Sequence, residues 1–255
     1  MIPKIIHYCW FGGNPLPDEA RKCIESWRKC CPNYEIKEWN EDNFNFDSCD
    51  YAKEAYQKEK WAFVSDYARF KILYEEGGLY FDTDVEVIKP IEDIVQKGPF
   101  MGCEQGDSLY VAPGLGLAAN PGLGLYKDIL DYYNNEHFVN EDGSINTTTV
   151  VQRITDLLKD RGFKGTGEIE CIDGVYIYPP DFFSPMNYWT GEIKISDQTR
   201  SIHHYSMSWK SEYEKELKEI ERKCRISLGN KLGYVIYKII IFPKRISHKI
   251  KQIIQ

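Results

Sequence analysis

Two carboxylates, Asp82 and Asp84, follow the apolar run Leu79-Tyr80-Phe81, which itself follows Gly77-Gly78. If the strand predicted by that run continues through them, both side chains point to one side, because strand side chains alternate. Carboxylates so placed can hold a hard divalent cation through oxygen ligands, and such a cation can neutralise a departing diphosphate. The same spacing also arises in solvated turns, so the surroundings decide. His203-His204 is the second candidate. Imidazole joined to carboxylates suits ions of the Mn²⁺ class. Neighbours on a strand face opposite ways, so one histidine fits a ligand role and the other a structural one. Trp10, beside Gly12-Gly13, either offers a flat face to a nucleobase, worth ~1–3 kcal/mol by stacking, or packs in the core. Trp209, after Ser206-Met207-Ser208, is placed to close over the same edge.

The elements that must position these groups can be read from periodicity. Trp61 to Tyr74 is apolar nearly all round (Phe63, Val64, Tyr67, Ala68, Phe70, Ile72 and Leu73 among them), so it predicts a buried helix ended by Gly77-Gly78. Ser65, Asp66 and Arg69 share roughly 100° of that helix. Buried charges need partners. Asp66 and Arg69 can pair with each other at i,i+3, or this polar face can look into a ligand site. Before it, Lys4–Trp10 predicts a strand, Pro17–Cys30 a helix and Tyr34–Trp39 a second strand, with a further helix from about Tyr51. This β-α-β-α-β order predicts an α/β fold with a mostly parallel central sheet flanked by helices, whose ligands bind at the carboxyl ends of the strands. The periodicity weakens after Val85–Ile88 and Pro90; later candidates are strands at 100–103, 115–119 and 176–178, a short segment rich in polar aromatics at 201–205, and helices at 122–134, 148–160 and 211–223.

At 255 residues the chain suits one large domain, and 42% hydrophobic with 14% aromatic content is ample for a core. A net charge of −7 argues against a general nucleic-acid partner. The total conceals an asymmetry: residues 222–255 carry nine Lys/Arg and no Asp/Glu, which leaves −16 on residues 1–221. We therefore divide the chain into a body, 1–221, and a basic, apolar helical tail, 222–255, with the inner membrane surface as an expected partner of the tail. The tail's apolar run, Leu232–Phe242, is too short to span a bilayer. The eight cysteines show no Cys-x-x-Cys or zinc-finger spacing, and Met1-Ile2-Pro3-Lys4 does not read as a signal peptide. The expected location is cytoplasmic, at most peripheral on the inner face of the cell membrane.

The segments IPKIIHYCWFGG, SDYARFKILYEEGGLYFDTDVEV and IHHYSMSW resemble glycosyltransferase family 32, which includes bacterial capsular and polysaccharide transferases and yeast outer-chain mannosyltransferases. They also resemble the glucosylating domain of the large clostridial toxins. The resemblance is strong over residues 1–90, patchy over 91–200, and returns at 201–209. It implies a GT-A-type nucleotide-diphospho-sugar transferase fold and a retaining, metal-dependent transfer of a hexose or N-acetylhexosamine. The implied donor is a nucleotide sugar, a UDP-sugar ahead of GDP-mannose, and the acceptor a saccharide or lipid-linked saccharide. By resemblance Trp10 stacks on the base. Ser65 lies on the donor-facing stretch, and Asp66 and Arg69 bind ribose and the donor sugar or diphosphate. Tyr80 lines the nucleotide site, while Asp82 touches ribose and the metal shell. Asp84 and His204 ligate Mn²⁺ or Mg²⁺, and Ser208 and Trp209 cap the diphosphate. No catalytic base is implied.

The stretch Gly116-Leu117-Ala118-Ala119-Asn120-Pro121 lacks the His that family members often carry, and Thr147-Thr148-Thr149-Val150 replaces a Thr-Thr-Gly-Pro pattern. Two other readings compete. Phe81-Asp82-Thr83-Asp84-Val85 fits the nucleophile strand of haloacid-dehalogenase phosphatases, although the downstream acidic cluster of that class is missing. A non-catalytic nucleotide-sugar-binding protein on the same fold is the third.

Overall fold

The computed structural model describes residues 1–106, 108–207 and 211–254, with side chains described through residue 245. The chain forms two units. The first comprises Met1–Pro185 with Lys194–His204, the second Met186–Ile193 with Tyr205–Gln255.

In the first unit the strands are β1 (Ile5–Cys9), β2 (Glu35–Trp39), β3 (Gly78–Tyr80), β4 (Val85–Val87), β5 (Phe100–Gln105), β6 (Leu109–Val111), β7 (Leu117–Ala119), β8 (Glu170–Ile172), β9 (Val175–Tyr178) and β10 (Ser201–His203). The helices are α1 (Asp18–Cys30), α2 (Asp50–Gln57), α3 (Trp61–Glu75), α4 (Glu92–Val95), α5 (Gly124–Asn134), α6 (Val150–Asp160) and α7 (Pro180–Phe183). The main sheet runs β2-β1-β3-β7-β5-β9-β8, with β6 beside β5. Strands β2, β1, β3, β5 and β9 point one way, and β7, β8 and β6 the other. The expected α/β architecture with a mostly parallel sheet is therefore present. Both faces of the sheet are covered, as parallel sheets require. Tyr80, Met101 and Leu117 face a core built with α2, α3, α5 and α6, whereas Leu79, Phe100 and Ala118 face a second core that holds Trp27 of α1.

The middle of α3 is buried in the first core through Val64, Tyr67, Ala68 and Phe70, and its end is set by glycine. Gly77 adopts φ 69°, and its N–H donates to Leu73 O at 3.0 Å, closing the helix in the manner of a left-handed cap. Gly78, at φ 99°, lets β3 lie against β1: a Cβ there would stand 2.7 Å from Ile5 O and 3.0 Å from His7 Nε2. His7 fills the remaining space. Its Nε2–H donates to Gly77 O at 2.9 Å, and its Nδ1 accepts from Trp39 Nε1–H at 3.0 Å. Burial pushes the His7 pKa down to about 4, so the ring is neutral, as that tautomer requires.

One expectation fails here. The strand does not continue through the carboxylates. β3 ends at Tyr80, the chain turns with Val85 N–H donating to Asp82 O at 3.0 Å, and β4 then joins β10 in a separate antiparallel pair. Elements β6, β8, α4 and α7 were not expected from the sequence. At three or four residues they are too short to show a period.

The second unit is a helical hairpin, α8 (Glu212–Leu228) and α9 (Asn230–Ile254). A Ser211–Glu214 capping box opens α8. Gly229 turns the chain at φ 77°, and Gly233 allows close approach, since a Cβ there would lie 2.5 Å from Cys224 O. Leu217, Tyr237 and Ile241 form the small core between the helices. The segment 186–193 clasps α8 by its aromatics: Lys218 Nζ lies 3.6 Å from the Tyr188 ring and 3.9 Å from the Trp189 ring. The helix expected at 211–223 thus runs on to Leu228, and the apolar run 232–242 lies within α9, which continues past Pro243.

Candidate active site

Four elements meet where β3 ends. Arg69 of α3 is 3% exposed and bridges two carboxylates: its Nη2 lies 3.0 Å from Asp66 Oδ1 and 3.3 Å from Asp82 Oδ1. The simple i,i+3 pair is thus made, and the same guanidinium also reaches the strand end. Arg69 Nε–H donates to Ser65 O at 3.0 Å, while Ser65 Oγ–H turns back to Trp61 O. Tyr80 supports the group from below, with Arg69 Cζ 5.0 Å above its ring and its hydroxyl donating to Asp82 Oδ1 at 3.1 Å.

These contacts explain the charge states. Burial works against a charged Arg69, but Asp82, Tyr80 and Asp66 outweigh it and hold the guanidinium firmly protonated. Burial pushes the Asp66 carboxyl up to about 7, with Asp82 adding repulsion and Arg69 and Arg153 opposing the shift. The backbone N–H of Val150, at the start of α6, hydrogen-bonds Asp66 and pulls the other way. Burial also pushes the Cys9 thiol, beside Tyr80, up to about 12, so it is neutral.

Asp84 belongs to different company. Its Oδ1 lies 3.1 Å from His203 Nε2, on the pair of strands formed by β4 and β10. His203, not the expected His204, is therefore the histidine whose side chain lies beside Asp84. His204 turns away, and its Nε2 meets Glu86 Oε2 at 2.9 Å, so only its backbone N–H touches Asp84, at the carbonyl. The register pairs His203 with Val85 and runs on to set the His204 backbone opposite Asp84, but Asp84 lies in the turn before β4, so its side chain meets His203, while His204 shares a face with Glu86. Burial opposes a charge on His203, but Asp84, Asp82 and Glu104 raise its pKa above the ordinary range.

Trp10 follows β1, partly buried against the core under α1, with its Nε1–H donating to Asn14 O at 2.6 Å. Ser208 and Trp209 lie outside the described residues. Two residues of the site carried no sequence signal. Gly114 approaches the Asp82 carboxylate, and its carbonyl accepts from Asp82 N–H at 3.0 Å. Glu104, on β5, contributes its charge at His203. Neither sits in a motif: Glu104 is brought by β5, and Gly114 by the turn between β6 and β7.

Among the described residues no three His, Cys, Asp or Glu side chains form a closed metal cage. A Mg²⁺-class ion that is shared with a diphosphate does not require one; it takes one or two carboxylates, the phosphate oxygens and water. The half-buried Asp84 and Asp82 fit that donor chemistry.

The family described as the glycosyltransferase sugar-binding region containing the DXD motif matches residues 17–101, which hold Asp66, Arg69, Asp82 and Asp84. An uncharacterized glycosyltransferase of Acanthamoeba polyphaga mimivirus is 27% identical over 200 residues, or 73% of this chain and 77% of that protein. Residues 17–101 thus carry a glycosyltransferase region, and the chain is similar to family-32 glycosyltransferases. Inositol phosphoceramide mannosyltransferase 3 of Schizosaccharomyces pombe is 30% identical over 98 residues, and that match spans 37% of this chain and only 27% of the yeast protein. Among solved structures, a glycosyltransferase involved in glycosylation of the major capsid of PBCV-1 is 16% identical, with a TM-score of 0.47 over 85% of this chain and 99% of its own. The matched region is described by its DXD motif and spans Asp82-Thr83-Asp84, which favours the transferase reading over the phosphatase one.

Proposed function

We propose that this transferase moves a hexose or N-acetylhexosamine from a nucleotide sugar, a UDP-sugar ahead of GDP-mannose, to a saccharide acceptor with retention of configuration. The setting is polysaccharide or capsule synthesis in the cytoplasm, on an acceptor that is lipid-linked at the inner face of the membrane. The observation that carries the reading is the convergence of a fixed cation, Arg69, with Asp66 and Asp82 where β3 ends, two residues before the Asp84–His203 pair. A sugar diphosphate needs both: a positive group to orient its oxygens, and carboxylates to retain a divalent cation beside them. Asp82 and Asp84 would hold Mn²⁺ or Mg²⁺, with His203 as the neighbouring imidazole; the bound ion would neutralise the leaving diphosphate. Arg69, fixed by Asp66 and Tyr80, orients Asp82 and resists displacement when charge develops nearby. Trp10 is assigned to the base, and Ser65 and Tyr80 to the donor wall.

The test is nucleotide release from a panel of UDP- and GDP-sugars with Mn²⁺, with Mg²⁺ or with EDTA, in the presence and absence of saccharide acceptors. Release of UDP that requires the metal supports the reading. No release from any donor, or release indifferent to EDTA, overturns it.

A further inference from the structure

The second unit leaves a large apolar surface exposed. The side of α9 that carries Gly233, Tyr237 and Ile241 packs on α8. On its other side Leu232, Val235, Ile239 and Phe242 are open to solvent, with Ile239 63% and Phe242 67% exposed. A turn of 3.6 residues sets these four within about 80° of one another. The same geometry sets Lys231, Lys238 and Arg245, all exposed, in a row along the adjoining flank. Acidic residues of the hairpin are confined to α8, where Glu216 takes Lys244 and Glu221 takes Arg225. None occurs in α9.

An apolar stripe edged by a row of cations is the layout of a helix lying in a membrane interface, with its apolar side in the acyl boundary and its cations at the headgroups. A charged lysine within the apolar run argues for lying flat over crossing, and among the described residues no helix is long and apolar enough to span a bilayer. Evenly spaced cations with no anions among them complement a continuous anionic plane better than a mixed-charge protein surface. From this layout we infer that α9 docks the enzyme on an anionic phospholipid surface through Leu232, Val235, Ile239 and Phe242, with Lys231, Lys238 and Arg245 as the headgroup contacts. The inference stands independently of the donor assignment.

The experiment is sedimentation of the full chain with vesicles of phosphatidylcholine alone or with about one third phosphatidylglycerol. Binding is expected to be about tenfold stronger to the anionic vesicles and to weaken with salt. Ile239→Glu with Phe242→Glu should lower it about tenfold, and Lys231→Gln, Lys238→Gln and Arg245→Gln about fivefold per cation. All five positions are exposed, so circular dichroism should be unchanged, as should nucleotide release with soluble substrates. Equal binding to both vesicle types, or variants that bind like the parent, would overturn the inference. So would a dimer in sedimentation equilibrium that the Glu pair dissociates while vesicles capture neither form; that result would assign the stripe to a second copy of the chain.

Discussion

Gly114 lies directly against Asp82: a Cβ built on it would come within 1.9 Å of Asp82 Oδ2 and 3.4 Å of Arg69 Nη1. The carboxylate is thereby wedged between a glycine backbone, the Tyr80 hydroxyl and the Arg69 guanidinium. Gly114→Ala should therefore push Asp82 off Tyr80 and Arg69 with little effect on the main sheet. A displacement of this kind costs about 100-fold in turnover. Steady-state kinetics beside an unchanged circular dichroism spectrum would check it, and activity near wild type would show that Asp82 has room to adjust.

Arg69 separates two carboxylates, one of them buried. Arg69→Met should cost about 3–5 kcal/mol of stability, because it strands Asp66 without its counter-charge. Adding Asp66→Asn should restore part of that loss. Urea unfolding of the two single variants and the double variant closes the cycle. Strictly additive losses would mean that the pair is not coupled.

The two histidines make opposite predictions. Asp84→Asn and His203→Ala should each reduce metal-dependent turnover about 100-fold or more, whereas His204→Ala should leave it within about threefold of wild type. Titration of activity against Mn²⁺ distinguishes them. The reverse ranking would restore His204 to the metal.

His7 gives a stability signal with a defined sign. The folded chain keeps it neutral down to about 4, whereas the unfolded chain takes up the proton at 6.5. The stability it contributes is present above pH 6.5 and is lost as pH falls towards 4. At about 1.4 kcal/mol per unit this amounts to roughly 3 kcal/mol. Asp66 acts in the opposite sense, since its contribution is lost as pH rises from 3.8 to about 7. The wild-type profile mixes the two, so the difference between wild type and His7→Gln is the quantity to measure by urea unfolding. Parallel pH profiles would contradict the assignment.

The first half of the fold was legible because its elements are long and periodic: the helix at 61–75, the strands at 5–9 and 35–39, and the glycines between helix and strand all fall where the pattern puts them. Asp66, Arg69, Tyr80 and Asp82 were legible as a group for the same reason, being local to one helix-turn-strand unit. What sequence could not supply was the partner of Asp84. Alternation predicted that only one of His203 and His204 faces it, but which one depends on the turn at 82–85 and on pairing across more than a hundred residues, neither of which the sequence displays. Gly114 and Glu104 were invisible for a related reason. Glu104 lies on β5 just beyond the stretch 100–103 that reads as a strand, and Gly114 in the turn before β7, so neither position carries a pattern.

The chain leaves the main sheet at Tyr80 and enters the small β4–β10 pair at Val85, so the two carboxylates are fixed at different times during synthesis. Everything that holds Asp82 has left the ribosome by residue 114, and the last strand of the main sheet by residue 178. The strand that fixes Asp84 is made only at 201–203. Domains that fold as they emerge close local contacts first and distant ones last. A nascent enzyme is therefore expected to complete its sheet while half of its acidic pair still lacks its support, and to become competent for transfer only once its last strand has been threaded home.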